Sequence, residues 1–202
     1  MDTTPYRQIR TLYNADTITV YQAYSAEIAI PAVQQQKLSA SPAFSPTRMT
    51  WIKPSWCWMM YRAGYSYKDA RQSHILALEM KHEHFRELLM HATVVNHEPP
   101  RPLTEEEKER KVRVQWDPER DPRLGMLPYR SIQIGIQGDL GRKWTEEWIW
   151  AIRDVTDMAR EMKRALDEDA NVGEEELRRR GLMPDEKVYS VDEELKEVLR
   201  MA

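Results

Sequence analysis

Two short segments alternate strictly between apolar and polar side chains. In Val112–Trp116, the residues Val112, Val114 and Trp116 face one way, while Arg113, Gln115 and Asp117 face the other. Residues 130–138 repeat the pattern, with Ile132, Ile134 and Ile136 set against Ser131, Gln133 and Gln137, and Gly138 closes the run. Period-two alternation describes strands with one buried face, which an antiparallel sheet accommodates. A third strand is expected over Thr17–Tyr24, TITVYQAY, behind the turn residues Asn14 and Asp16, and a fourth over Ser73–Lys81. Ser25 is placed to cap a helix through AEIAIPAVQQQKL, with Pro31 at a kink or early break. A Ser/Pro loop covers 39–47 and a proline-rich loop 96–102. Arg48–Tyr61 reads as one or two strands interrupted at Pro54, or as a helix over 56–64. Short helices are expected at 82–92 and from Thr104. A longer one, capped by Thr145, carries Trp148, Ile152, Val155, Ala159, Met162 and Leu166 at spacings of three and four. The expected fold class is α+β, with a mostly antiparallel central sheet and flanking helices.

Charge divides the chain. Residues 154–202 carry 15 acidic and nine basic side chains; of the totals of 33 and 30, this leaves 18 acidic against 21 basic in residues 1–153. The expected organisation is one domain over 1–166 and a charged appendage, helical or flexible, over 167–202. Short helices in that tail are expected at 174–180 and 192–201. Between Glu27 and Asp69 there is no acidic residue at all, whereas Lys37, Arg48, Lys53, Arg62 and Lys68 all fall in the gap. They are interleaved with Trp51, Trp56, Trp58, Tyr61, Tyr65 and Tyr67. Cations beside rings suit an anionic, ring-bearing ligand. The plainer alternative is an aromatic core strand between solvated Lys and Arg. An acidic tail could also lie over a basic site in competition with its ligand.

No apolar run approaches a membrane span, and MDTTPYRQIR does not have the form of a secretory signal. With one cysteine, Cys57, there is no internal disulfide and no Cys/His zinc spacing. A reducing compartment is therefore expected, cytoplasmic or nuclear, with no membrane partner; the oligomeric state stays open. Cys57, between two tryptophans, reads as a small buried hydrophobe. His82 and His84 lie two apart, so they do not share a helix face, and with His91 and His97 they make no metal spacing. No metal is expected. Neither GxGxxG nor GxxxxGK[ST] occurs, and no GxSxG elbow surrounds Ser55. The polar fronts of the two alternating strands remain. Arg113, Gln115, Ser131 and Gln133 either line a ligand site or belong to an ordinary solvated face. QWDPER adds Asp117, Glu119 and Arg120 at a strand end, where binding loops commonly sit.

The segments YQAYS, RMTWIKPSWCWMMYRAGY, VRVQWDPER and RSIQIG together resemble the family known as domain of unknown function 4291, over roughly residues 5–165, with the tail beyond about 166 outside it. The order of elements is also similar to that of ADP-ribosyltransferase-type NAD-binding cores. Those have a first strand (here VYQAY) followed by a helix, a second strand ending in a serine (WIKPS), and a late strand with an inward polar residue (IQIG). Such cores place a His or Arg, a Ser or Thr, and often a Glu at three positions that here are Gln22, Ser55 and Gln133, so two of the three depart from the pattern. This resemblance implies NAD as cofactor and transfer to a nucleic-acid or protein acceptor; the alternative is a non-catalytic module for nucleic acid or phosphate ligands. It implies Gln22 and Tyr24 at the ribose or nicotinamide, Lys53 and Arg62 on phosphates, Ser55 as a positioning hydroxyl, and Arg113 with Gln133 on the opposite wall. Arg48, Trp51, Gln115, Arg120 and Arg130 complete the expected cofactor-binding set, and Asp117 or Glu119 supplies negative charge in place of the missing Glu.

Overall fold

The computed structural model describes residues 4–96 and 99–201, so His97 and part of the proline-rich 96–102 segment lie outside the described residues. In chain order the elements begin with β1 (Arg10–Thr11), β2 (Thr17–Tyr24), α1 (Ala26–Gln35), β3 (Thr50–Ile52), α2 (Trp56–Ala63), β4 (His74–Lys81), α3 (His82–Met90) and β5 (Ala92–Val94). They continue with α4 (Glu105–Glu109), β6 (Val112–Arg120), β7 (Met126–Ile136), α5 (Gly138–Lys143), β8 (Ile149–Asp154), α6 (Thr156–Glu168), α7 (Glu174–Arg179), β9 (Lys187–Val188) and α8 (Glu193–Leu199). None of these helices is long and apolar enough to cross a membrane.

The architecture is α+β and mostly antiparallel, with its strands divided between two main sheets. The alternating segments are direct partners: Val114 lies opposite Ile134 and Gln115 opposite Gln133 in β6–β7. They form the centre of a four-stranded sheet ordered β3-β7-β6-β5, in which only the β5–β6 pair is parallel. The second sheet is β2-β4-β8, antiparallel throughout. A two-stranded ribbon joins β1 to β9.

Burial explains the sheets. Val112, Val114 and Trp116 with Ile132, Ile134 and Ile136 form one wall of the larger core, and Ile18, Val20, Leu76, Leu78 and Met80 enter the same core from the second sheet. Tyr21, Ala23, Ile75 and Ala77 lie on the opposite face of that second sheet and belong to a smaller core under α2 and α6. β2 is thus covered on both sides, and each buried aliphatic side chain contributes roughly 1.5–3 kcal/mol.

One expected helix changes and one open alternative is decided. The helix expected from Thr145 is a π-helical turn over Trp144–Trp148, then β8, then α6. Thr145 Oγ1 donates to the Gly141 carbonyl at 2.8 Å and caps nothing. Ile152 is buried while Trp150 is exposed, so Trp148, Ile152 and Val155 satisfy a helical spacing while 149–154 satisfies a strand. Pairing with β4 decides in favour of the strand, and its free edge at Ile152 is closed by the Gln36 side chain, with bonds of 2.8 and 2.9 Å. In the tryptophan-rich segment the strand is short and the helical alternative holds for α2, which ends at Gly64 with φ +54°.

Residues 167–202, expected as an appendage, lie against the same two cores. The boundary at 166 falls inside α6; Leu177, Leu182 and Met183 join the smaller core, while Leu195 and Leu199 join the larger. Trp116 Nε1 donates to the Leu199 carbonyl at 2.8 Å. Helices α7 and α8 fall where the sequence places short helices, the second capped by Asp192.

Candidate functional site

Lys53 sits where the two sheets meet. In β3, Trp51 pairs with Gly135 and Ile52 with Ile134. One residue later the chain changes partner: Lys53 N–H donates to the Tyr21 carbonyl at 3.0 Å and Tyr21 N–H to the Lys53 carbonyl at 2.7 Å. Pro54 has no N–H and stops the pairing. Ser55 Oγ then accepts from Trp58 N–H at 3.1 Å and starts α2. The sequence I-K-P-S therefore encodes strand, transfer between sheets, stop and helix cap.

A cleft of about 600 Å³ opens beside this junction. In β2 every residue is buried except Gln22, which is half-buried and lines the cleft. Lys53 is only 2% exposed, and its ammonium donates to Gln22 Oε1 at 3.1 Å and to the Trp51 carbonyl at 2.6 Å. Gln115 and Gln133 form the facing wall, where Gln133 Nε2 donates to Gln115 Oε1 at 2.8 Å and to Asp117 Oδ2 at 2.7 Å. Tyr24, Phe44 and Trp51 contribute rings, and Arg48, Arg62 and Arg71 contribute exposed cations. Arg62 Nη1 donates to Gln72 Oε1 at 3.0 Å. Among the described residues, no Asp or Glu lines the cleft.

Two groups are shifted by these surroundings. Burial lowers the pKa of Lys53 to about 7; the positive charge of Arg62 pushes the same way and Asp117 opposes it. Burial also lifts Asp117 above its ordinary value, against the Gln133 hydrogen bond and the charges of Arg130, Lys53 and Arg120.

Gly135 makes room for Trp51. A Cβ there would lie 2.9 Å from the indole carbons Cε2 and Cζ2 and from Met49 Sδ. The methionine can yield, whereas the ring cannot without leaving its place. Gly135→Ala is therefore expected to cost about 1–3 kcal/mol and to turn Trp51 away from its seat. Denaturant unfolding and near-ultraviolet circular dichroism would check it; an unchanged aromatic spectrum would contradict the contact.

The sequence profile of the domain of unknown function DUF4291 matches residues 8–189. The chain belongs to the DUF4291 family. The match runs beyond residue 166, where the resemblance read from the motifs ended, so α7 and β9 lie within the DUF4291 domain. A comparison with curated proteins found no match.

Eight of the expected site residues of this DUF4291 member line one cleft: Gln22, Tyr24, Arg48 and Trp51 together with Lys53, Arg62, Gln115 and Gln133. The others lie elsewhere. Ser55 is buried, and its hydroxyl donates to Glu119 Oε1 at 2.8 Å while it caps α2. Arg113 turns to the C-terminal end of α4 and donates to the carbonyls of Glu107 and Lys108, where a cation is favoured. Arg120 lies 3.8 Å over the Tyr61 ring and donates to the Leu124 carbonyl. Arg130 Nε donates to Tyr6 Oη at 2.7 Å. Asp117 stands behind Gln133 and outside the cleft lining.

At the start of α2 lie two carboxylates, Glu119, which is buried, and Glu186, which is half-buried. Glu186 Oε1 accepts from Trp56 N–H at 2.6 Å. Burial raises both carboxyls, and the charge of Glu119 raises Glu186 further. The tail thus contributes to α2 and to the cores, and none of its described residues lines the cleft. His82 bridges Tyr189 Oη and the Asn14 carbonyl at 3.0 Å each, and His84 stacks on Trp148. Arg71 and Gln72 belong to the cleft and were missed in the sequence. They occupy a single 3-10 turn, Ala70–Gln72, which leaves no periodic signal.

Proposed function

We propose that the cleft binds an anionic nucleotide, with NAD the first candidate, and that the protein transfers an ADP-ribosyl group to a nucleic-acid or protein acceptor. The observation that carries this reading is a lining free of carboxylates that combines Lys53 and three arginines with amides and aromatic rings. Guanidinium forks match phosphate oxygens, and the rings offer faces to a base or a pyridine. A cleft of about 600 Å³ is of small-molecule size. In the resemblance to ADP-ribosyltransferase cores, Lys53 rather than Ser55 is the second-strand side chain at the cleft.

In the reaction, the bond between nicotinamide and the ribose carbon breaks and its electron pair leaves with nicotinamide. An acceptor nucleophile bonds to that carbon and its proton passes to solvent. Positive charge builds at the ribose carbon on the way, and Asp117 behind Gln133 is the negative charge placed to favour it.

Titration calorimetry with NAD and with ADP-ribose tests the binding step. Arg48→Ala and Arg62→Ala are each expected to weaken affinity by about tenfold, the scale of a charged hydrogen bond. Chromatographic detection of released nicotinamide, with RNA, DNA and protein extract as acceptors, tests turnover. Absence of both binding and release would overturn the proposal. A second reading, a non-catalytic module for nucleic acid or phosphate ligands, is favoured by Gln133 standing where transferases often place a carboxylate. Its signature is binding without nicotinamide release, with affinity falling steeply as salt rises.

A further inference from the structure

Four glutamines line the cleft, and two charged groups, Lys53 and Asp117, decide which way the amides of Gln22, Gln133 and Gln115 turn. An ionised carboxylate only accepts, so Asp117 Oδ2 requires the nitrogen of Gln133, not its oxygen. That nitrogen has two hydrogens, and the second goes to Gln115 Oε1 at 2.8 Å. Gln133 is left with an acceptor, its Oε1, and Gln115 with a donor, its Nε2; neither has a protein partner among the described residues. Gln115 and Gln133 lie directly opposite each other across β6 and β7, so this acceptor and donor are neighbours. On the other wall, an ammonium only donates. Lys53 therefore holds Gln22 by Oε1 and leaves its Nε2 as a further donor.

We propose that Asp117 is a positioning residue that turns Gln133 and, through it, Gln115, making the cleft a reader of a neutral amide edge on its ligand, an N–H beside a C=O. The ligand's N–H meets Gln133 Oε1, and its C=O meets the Gln115 amide. The proposal rests on the nucleotide-binding reading above and adds the class of group recognised. Two sources offer such an edge, a primary carboxamide and a ring lactam. A carboxylate in its place would face the Gln133 oxygen with no proton to share. A half-buried site built to pair with an N–H penalises a ligand that lacks it, because its own acceptor goes unpaired.

Affinities for four probes separate the outcomes: NAD against nicotinic acid adenine dinucleotide for the carboxamide, and UDP against N3-methyl-UDP, which lacks the ring N–H, for the lactam. ADP-ribose serves as the common phosphate reference. The expected result is a preference of at least about tenfold within one pair, for NAD over its acid or for UDP over its N3-methyl form. D117N, whose amide offers either polarity to Gln133, should shrink that preference to within about threefold. Q133M, which deletes the acceptor, should do the same, and it covers the case in which D117N does not fold. ADP-ribose binding with no preference in either pair would overturn the inference and leave the nucleotide reading intact. A preference that survives both substitutions would remove Asp117 and Gln133 from the role. If none of the five probes binds, both readings fall.

Discussion

Replacing Lys53 with Met is expected to stabilise the protein at pH 6, to have no such benefit at pH 10, and to weaken anion binding in the cleft. The folded-state pKa is about 7 against an ordinary 10.5. Below pH 7, folding must hold an ammonium in a buried place. Between about 7 and 10.5 the unfolded chain binds a proton that the folded chain lacks, so this group's contribution to stability rises with pH across that window. Over 3.5 pH units the penalty amounts to about 5 kcal/mol at 1.36 kcal/mol per unit. Methionine removes it but leaves Gln22 Oε1 and the Trp51 carbonyl without their donor, at about 1–3 kcal/mol in total. The net gain at pH 6 is therefore about 2–4 kcal/mol, or roughly 4–16 °C in Tm for a chain of this size. Calorimetry at the two pH values reads the difference. Parallel pH profiles for the two proteins would mean that Lys53 titrates normally.

Ending the chain at Pro184 is expected to lower Tm by at least about 10 °C or to prevent folding. The cut removes Leu195 and Leu199 from the larger core and takes away the Leu199 carbonyl that accepts from Trp116. It also removes Glu186, which accepts from the first N–H of α2. Loss of a buried leucine costs about 2–5 kcal/mol, and two such losses consume much of the 5–15 kcal/mol that typically holds a domain together. Thermal unfolding followed by circular dichroism decides it; an unmoved midpoint would make the tail an appendage after all.

The strands that build the cleft were legible because a half-buried strand writes its geometry into a period of two. Gln115 and Gln133 emerge from that alternation on the polar side, and they do face each other. The same rule places Arg113 on that face, yet its guanidinium turns back to the carbonyls of Glu107 and Lys108, six and five residues earlier at the end of α4, a local contact that alternation does not encode. Ser55 was ambiguous locally: a serine after proline can end a strand or cap a helix, and the apolar run WCWMM favours the cap once α6 covers it. The packing of the tail is hard to see in the sequence for a different reason. Leu177, Leu182, Leu195 and Leu199 are few and scattered among charges, but each is buried, so their sparse pattern understates their packing. Arg71 and Gln72 left no trace, since one turn has no period.

The β1–β9 ribbon has a consequence for the order of assembly. Arg10 and Val188 are partners 178 positions apart. At 5–20 residues per second, a translating ribosome leaves β1 without its mate for roughly 10–35 s. The early strand must wait beside a growing chain, with its N–H and C=O groups open to other strands, until the ribbon can close. A slowed or stalled ribosome lengthens that interval, during which chaperones would find the nascent protein most readily.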